Sequence, residues 1–353
     1  MERLKIALIG AGQIARTTHI PNLKKIPETE ITGICDTRIE AAQQTAREGG
    51  IQHYYGSHVE MIEKERPDAV IICVPNQCHC EMTMSALDMG CHVLCEKPPA
   101  MTAEQAEQME KKAKEKGKLL SYGFHLRASE EVQILRREIL KGAVGEIYHA
   151  EARWCRRRGI PGWGNFTDKE IQGGGPLIDI GAHVLDSALY LMGYPEISGV
   201  YASSSSYIGR NRSKGLMGTW DPDRFTVEDG LFGFVKFQNG YSLEIQTAFA
   251  LNQKERDRRN IILYGSEQGA SVFPLELYGE DEGCLWDKAF PFSAHRDPHW
   301  ALDRNFVMAC LKREELLVKA EEGTYVQRLI GMLYESAESG VPVICGASLS
   351  GKP

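Results

Sequence analysis

No apolar run in the 353 residues approaches the roughly 18 to 20 that a membrane-spanning helix needs, so no such helix is expected. No cleavable signal region is expected either. Met1 leads almost directly into Lys5-Ile6-Ala7-Leu8-Ile9, which reads as a buried strand. A cytoplasmic location is the default expectation. Basic charge is not in excess: 41 Lys and Arg stand against 48 Asp and Glu, a net charge of −7. That balance supports neither a nucleic-acid partner nor an anionic membrane. Paired C-x-x-C units are lacking too. His79 lies between Cys78 and Cys80, yet no second pair stands at a zinc-ligand interval. No metal site is expected, and the ten cysteines read as reduced thiols, several of them core residues.

What is present is ample apolar material, 42% of the chain. The length exceeds one comfortable core, so two domains are expected. The first third alternates strand and helix. Lys5 to Gly10, Glu30 to Asp36, Ala69 to Val74, His92 to Cys95 and Leu119 to Tyr122 read as strands. Between them lie helical patterns such as Gln13 to Lys25 and Thr102 to Lys116, the latter opening on a capping box and stopping at Gly117. Repeated units of this kind imply an α/β Rossmann domain, a doubly wound parallel sheet. After about Gly123 the pattern changes. Strand-like runs at Ile147 to Trp154, Gly230 to Phe237, Tyr241 to Phe249 and Asn260 to Tyr264 predict an α+β domain with a large, mostly antiparallel open sheet. Asn239-Gly240 is a hairpin signal. The expected division is residues 1–123 for the dinucleotide-binding domain and 124–353 for a substrate-binding and oligomerisation domain, with the C-terminal helix able to pack back on the first.

Gly10-Ala11-Gly12-Gln13-Ile14-Ala15 closes the first strand and opens the first helix. Gly10 permits the tight turn, Gly12 lets backbone approach a pyrophosphate, and Ala15 allows close helix–strand packing. The helix N-terminus then offers free N–H groups and a positive dipole end to phosphate. Asp36 ends the second strand, 26 positions after Gly10. A carboxylate there accepts from the adenosine ribose hydroxyls and repels a 2′-phosphate, so NAD is favoured over NADP. Arg38 is the residue that would meet such a phosphate. Pro75 and Asn76 end the apolar strand at the edge where ligands lie, and His79 follows them. Asn76 and His79 are candidates for the cofactor ribose or diphosphate; for His79 a solvated helix-start role weighs equally.

Cys95-Glu96-Lys97-Pro98-Pro99 ends a strand at the same edge, which puts Lys97 near the nicotinamide. A lysine there can stabilise an alkoxide or lower a neighbour's pKa. Asp179 and His183 are four apart on a predicted helix and share a face, with Asp186 near the same stripe. A dehydrogenase needs a base for the alcohol proton, and histidine has a suitable pKa. Taken alone, this segment reads as readily as a helix with a satisfied histidine.

Taken together, Gly10-Ala11-Gly12, Glu96-Lys97-Pro98 and Asp179-x-Gly181-x-His183-x-x-Asp186 resemble the motifs of the Gfo/Idh/MocA oxidoreductases, in that family's order and across essentially the whole chain. The resemblance implies a sugar or cyclitol dehydrogenase in which His183 is the general acid/base, Asp179 its partner or a substrate ligand, and Lys97 the electrostatic support. It adds Tyr122-Gly123-Phe124-His125 near the nicotinamide, with His125 where Asn is common. The cofactor set is then Gly10, Gly12, Gln13, Ile14, Asp36, Arg38, Pro75, Asn76, His79, Glu96, Lys97 and His125. A narrower resemblance, to the bacterial glucoside 3-dehydrogenase branch, rests on Arg156-Arg157-Arg158-Gly159-Ile160-Pro161-Gly162-Trp163, on Gln172-Gly173-Gly174-Gly175, on Trp220-Asp221-Pro222 and on Val227-Glu228-Asp229. It implies oxidation of a glucoside at C3. Trp163 offers a flat face to a pyranose, while Arg156 to Arg158 and Asp229 offer hydrogen bonds. The expected partners are a small carbohydrate, bound by Lys97, Arg156, Trp163, Asp179 and His183, and further copies of the chain in a homodimer or homotetramer. Two other readings stay open: an NAD-assisted glycosidase working through a 3-keto intermediate, and a non-catalytic NAD- or sugar-sensing regulator on the same fold.

Overall fold

The computed structural model describes residues 3–211, 214–291 and 296–345. The backbone divides into two units. The first comprises Met1–Ser129 and Arg296–Gln327, and the second Glu130–His295 and Arg328–Pro353.

Strands β1 (Leu4–Ile9), β2 (Thr29–Cys35), β3 (Tyr54–Tyr55), β4 (Ala69–Ile72), β5 (His92–Cys95) and β6 (Leu120–Tyr122) form the sheet of the first unit. All neighbours pair in parallel, in the order β3-β2-β1-β4-β5-β6. β1 and β4 are buried almost throughout, as a sheet covered on both faces requires. Helices α1 (Ile20–Leu23), α2 (Ile39–Gly49), α3 (His58–Glu65), α4 (His79–Asp88) and α5 (Ala103–Lys116) are the crossovers. Thr102 caps α5 by accepting from the Gln105 N–H, and Gly117 closes it in the left-handed region. The expected helix over Gln13 to Lys25 forms as one run from Gln13 to Leu23, with a π segment, Ala15–His19, inside it before α1. Strand order reverses between β1 and β4, so the switch point lies where the Gly10 turn leaves β1.

The second unit is a nine-stranded sheet with α6 (Glu130–Leu140), α7 (Lys169–Gln172) and α8 (Ala182–Met192). Its strands are β7 (Ile147–Arg156), β8 (Ile197–Ser205), β9 (Gly230–Phe237), β10 (Ser242–Ala248), β11 (Asp257–Gly265), β12 (Gly269–Ser271), β13 (Glu276–Asp281), β14 (Cys284–Ala289) and β15 (Val343–Ile344), ordered β14-β13-β12-β11-β7-β10-β9-β8-β15. Every pairing is antiparallel except β7 with β10. The Asn239-Gly240 hairpin forms, with Gly240 at φ +91. α8 packs on β7, and at Gly181 a Cβ would come within 2.6 Å of the Thr247 methyl group.

The chain then returns to the first unit with α9 (Pro298–Cys310). The sequence division at 123/124 gives this stretch to the second domain. Its apolar face is instead part of the first core, where Phe306, Val307 and Met308 pack with Leu8, Ile34 and Leu94. α10 (Ala320–Ser339) gives its turns up to Gln327 to the first unit and the remainder to the second. Among the described residues no helix is long and apolar enough to cross a membrane.

Candidate active site

Gly10 takes φ +100, and a Cβ there would lie 2.5 Å from the Cys73 carbonyl oxygen. Only glycine lets the turn after β1 pass so close to the end of β4. Gly12 has open space: its nearest neighbour to a Cβ is that same oxygen at 3.9 Å. This is the bare backbone a pyrophosphate requires. The Ala11 N–H donates to Asp36 Oδ2 at 3.0 Å, and the Arg38 N–H to Asp36 Oδ1 at 2.9 Å. Asp36 is thereby fixed at the rim of the turn, and each oxygen keeps a second lone pair for a ribose hydroxyl. It does not cap α2, whose N-cap residue, Arg38, makes no side-chain cap bond. A cleft of about 530 Å³ opens here, lined by Gly12, Gln13, Arg16, Arg38 and Thr45 among others. Gln13 is exposed, Ile14 packs against the core, and the Arg38 side chain is 77% exposed with Nε 3.7 Å from Asp36. These residues fit an adenine dinucleotide.

At the end of β4, Pro75 is exposed and Asn76 half-buried in a short 3₁₀ turn. His79 departs from the cofactor role expected of it. It is buried, with Nδ1 2.7 Å from the Pro98 carbonyl and Nε2 3.0 Å from the Val74 carbonyl. It ties the Lys97-Pro98 turn to the end of β4. Burial lowers its pKa.

Beside it lies a buried ionic chain that the sequence reading missed. His19, at the end of the π turn, places Nδ1 2.9 Å from Asp303 Oδ1 of α9 and Nε2 3.0 Å from Glu96 Oε1. Asn22 Nδ2 donates to Asp303 Oδ2 at 3.2 Å. Glu96 Oε2 accepts the Lys97 N–H at 3.1 Å. Burial is the largest influence and penalises the imidazolium, but Asp303 and Cys73 together outweigh it and hold the His19 pKa well above the usual value. Burial likewise opposes ionisation of Glu96. The His19 hydrogen bond and charge, with Lys97 and His125 nearby, overcome it and set the carboxyl at about 2. Glu96 is therefore a strut beneath Lys97. A side chain at Gly123 would displace the Glu96 carboxylate, since a Cβ there would lie 2.8 Å from both its oxygens. Lys97 is half-buried, and His125 stacks on His299 with centroids 3.7 Å apart.

In the second unit, Leu177–Gly181 is a π turn that passes into α8, rather than one continuous α-helix. Its wider winding still leaves Asp179 and His183, four apart, on the same side. Such turns recur at functional sites. Asp179 is half-buried, and His183 is buried with its ring 6.1 Å from that of Trp154. Arg156 and Arg259 lie over the Trp154 ring at 5.5 and 5.2 Å, and Trp154 Nε1 donates to Asp257 at 3.0 Å. Arg156 is thus stacked behind the histidine's neighbour and paired with Asp257 at 3.8 Å. Arg158 donates to the Leu251 carbonyl and Asn252, and Arg157 to the Lys254 carbonyl, so both stitch loops rather than present a ligand face. Asp229 also departs from expectation. It is buried and accepts from Ser205 and from the Ile208 and Gly209 N–H groups.

Glu228 and Tyr334 are a second set the sequence reading did not mark for this role. Glu228 accepts the Gly175 and Leu177 N–H groups at 2.9 and 3.2 Å and the Tyr334 hydroxyl at 2.8 Å. Burial raises the Glu228 pKa. Gly174 and Gly175 have no room for a side chain, because a Cβ would lie 2.1 Å from the Tyr334 oxygen and 2.2 Å from the Glu228 carbonyl. The triple glycine is the seat on which the Asp179 turn is mounted. Trp163 is 47% exposed and edges onto Phe166.

Residues 4–124 match an oxidoreductase family with an NAD-binding Rossmann fold, and 132–271 match the Gfo/Idh/MocA C-terminal domain. The chain is 42% identical over 340 residues to D-glucoside 3-dehydrogenase of Escherichia coli K12, covering 96% of this chain and 97% of that protein. It is 33% identical over 193 residues to glucose-6-phosphate 3-dehydrogenase of Bacillus subtilis 168, covering 53% of each. In fold it resembles levoglucosan dehydrogenase in complex with NADH and levoglucosan, with a TM-score of 0.84 at 22% identity over 98% of this chain and 100% of that one. It also resembles the aldose–aldose oxidoreductase of Caulobacter crescentus complexed with glycerol, with a TM-score of 0.80 at 23% identity over 97% and 100%. The chain belongs to the Gfo/Idh/MocA oxidoreductases, and its cofactor is NAD.

Proposed function

We propose that this enzyme oxidises the C3 hydroxyl of a glucoside, with Lys97, Asp179 and His183 as the reactive residues. The observation that carries the reading is the 42% identity, along nearly the full length of both chains, to a D-glucoside 3-dehydrogenase. NAD, held by the Gly10 turn and Asp36, would supply the acceptor for the hydride of the sugar carbon. His183 removes the hydroxyl proton, so the O–H and C–H electron pairs are both accounted for. Asp179 holds the substrate hydroxyl or orients the imidazole. Lys97 meets the negative charge that develops on oxygen. Its turn is held from below by Glu96 and from the side by His79, which supports a fixed ammonium position. Ten free cysteines are consistent with the cytoplasm, where we place the enzyme.

General acid/base assistance is worth about 10²- to 10⁴-fold in rate. His183→Ala is therefore expected to lose turnover by that factor while NADH still binds, as read by the quenching of protein fluorescence. Turnover at the wild-type rate would remove His183 from the mechanism.

A further inference from the structure

The loops 161–168 and 217–224 of the second unit cross with their backbones touching. A Cβ on Gly162 would lie 2.4 Å from the Thr219 nitrogen, and the Gly162 N–H donates to the Met217 carbonyl at 2.8 Å. The Thr226 N–H donates to the Thr167 carbonyl at 3.0 Å, and the Lys169 N–H to Thr226 Oγ1 at 2.8 Å. Between the clamped loops is a cleft of about 220 Å³ lined by Trp163, Trp220, Asn165, Asp168, Asp221 and Arg224 among others. Lys97, Asp179 and His183 do not line it.

The lining has the chemistry of a saccharide site. Two indoles offer flat apolar faces. Trp220 is held from behind, its Nε1 donating to the Gly209 carbonyl at 2.7 Å. Asp168 and Asp221 each use Oδ1 to cap a short turn, accepting from Glu170 and Asp223 at 3.0 Å. Each is thereby held in place with Oδ2 left over as a preorganised acceptor. Arg224 adds a donor. Two carboxylates against one guanidinium disfavour a phosphorylated or uronic sugar. The volume is below the roughly 300 to 1,000 Å³ typical of drug-sized ligands, so it suits one ring. The cleft is also coupled to the reactive segment: Trp220 packs on the same core cluster as Ile180, which sits between Asp179 and Gly181.

We infer that this cleft is a second saccharide subsite, which holds a neutral, non-reacting pyranose ring of the substrate. The inference rests on the proposed glucoside oxidation. It predicts that maltose or cellobiose is preferred over the methyl α- or β-D-glucopyranosides. In Trp163→Ala, the ratio of kcat/KM for the disaccharide to that for the matching methyl glucoside should fall about tenfold, one aromatic contact's worth. Asp221→Asn keeps the capping oxygen and exchanges the charged Oδ2 acceptor for an amide donor. It should lower the same ratio and guards against a folding defect in the first variant. Intrinsic tryptophan fluorescence of the full-length protein should shift on disaccharide addition, and less so in Trp163→Ala. An unchanged ratio in both variants overturns the subsite, as does a disaccharide titration with no optical response. If the disaccharide binds and Trp163→Ala weakens it, yet no sugar is oxidised, the subsite stands and the proposed activity fails.

Discussion

Asp36 has one side chain and two duties. Its carboxylate closes the Gly10 turn through the Ala11 N–H, and in our reading it also repels a 2′-phosphate. Arg38 waits beside it, largely exposed. Asp36→Ser should therefore raise the kcat/KM ratio of NADP to NAD by about tenfold or more, the scale of one charge repulsion removed at the protein surface. A ratio that does not move would place the discrimination elsewhere. The glycine turn and Asp36 could be marked from the sequence because a strand, the glycine spacing, a helix and an acid 26 positions on form one recognisable pattern. His19 and Asp303 were not legible: their contact spans 284 positions, and that of Glu228 with Tyr334 spans 106. For His79 the sequence left a cofactor role and a solvated helix start equally open, and the structure shows it buried. The Pro98 carbonyl that occupies its Nδ1 lies 19 positions away, and a histidine at a strand end looks alike whether it faces a ligand or a carbonyl.

Two glycines of one turn should fail in different ways. Gly10→Ala puts a Cβ against the Cys73 carbonyl, with φ in the left-handed region, so a fall in stability of at least about 1–2 kcal/mol is expected. Gly12→Ala meets nothing within 3.9 Å and should keep the wild-type Tm while weakening NADH binding. Equal melting temperatures for both variants would contradict this account of the turn. The π turn, the end of β5 and α9 are joined by Asp303–His19–Glu96. The pKa of His19 is raised on folding, so its contribution to stability is fully present below about 6.5 and is lost as pH rises through the higher folded value. The Glu96 pKa is depressed to about 2, so its contribution is present above about 4.3 and is lost as pH falls toward 2. His19→Gln should lower Tm near neutral pH and narrow its gap to wild type at high pH. A constant gap across that range would mean His19 is neutral. Both expected helices over the key motifs form, and each carries a π stretch that the sequence did not mark, because hydrophobic periodicity shows the buried face but not a shift from i→i+4 to i→i+5 bonding.

The nine-stranded sheet carries α8 on one face. On the exposed positions of β8, β9 and β11 stand Tyr201, Phe232, Phe234 and Tyr264, with His149 of β7 beside Phe234 and Tyr264. Tyr201 pairs directly with Phe234. We propose this aromatic band as the face through which the expected homodimer or homotetramer assembles. Phe234→Asp should shift the mass measured by light scattering toward the monomer, and an unchanged mass would place the interface elsewhere. The alternation that builds this sheet was readable from the strand patterns. The return of α9 to the first core was not, because its apolar face has no sequence mark naming the sheet it meets. The central claim is hydride removal from C3 of a glucoside. The most direct test is to incubate the enzyme with NAD and a methyl glucoside, count NADH by absorbance and locate the product carbonyl by NMR. One NADH for each 3-keto glucoside is the predicted result; a ketone at another carbon, or release of methanol without accumulation of NADH, would contradict it.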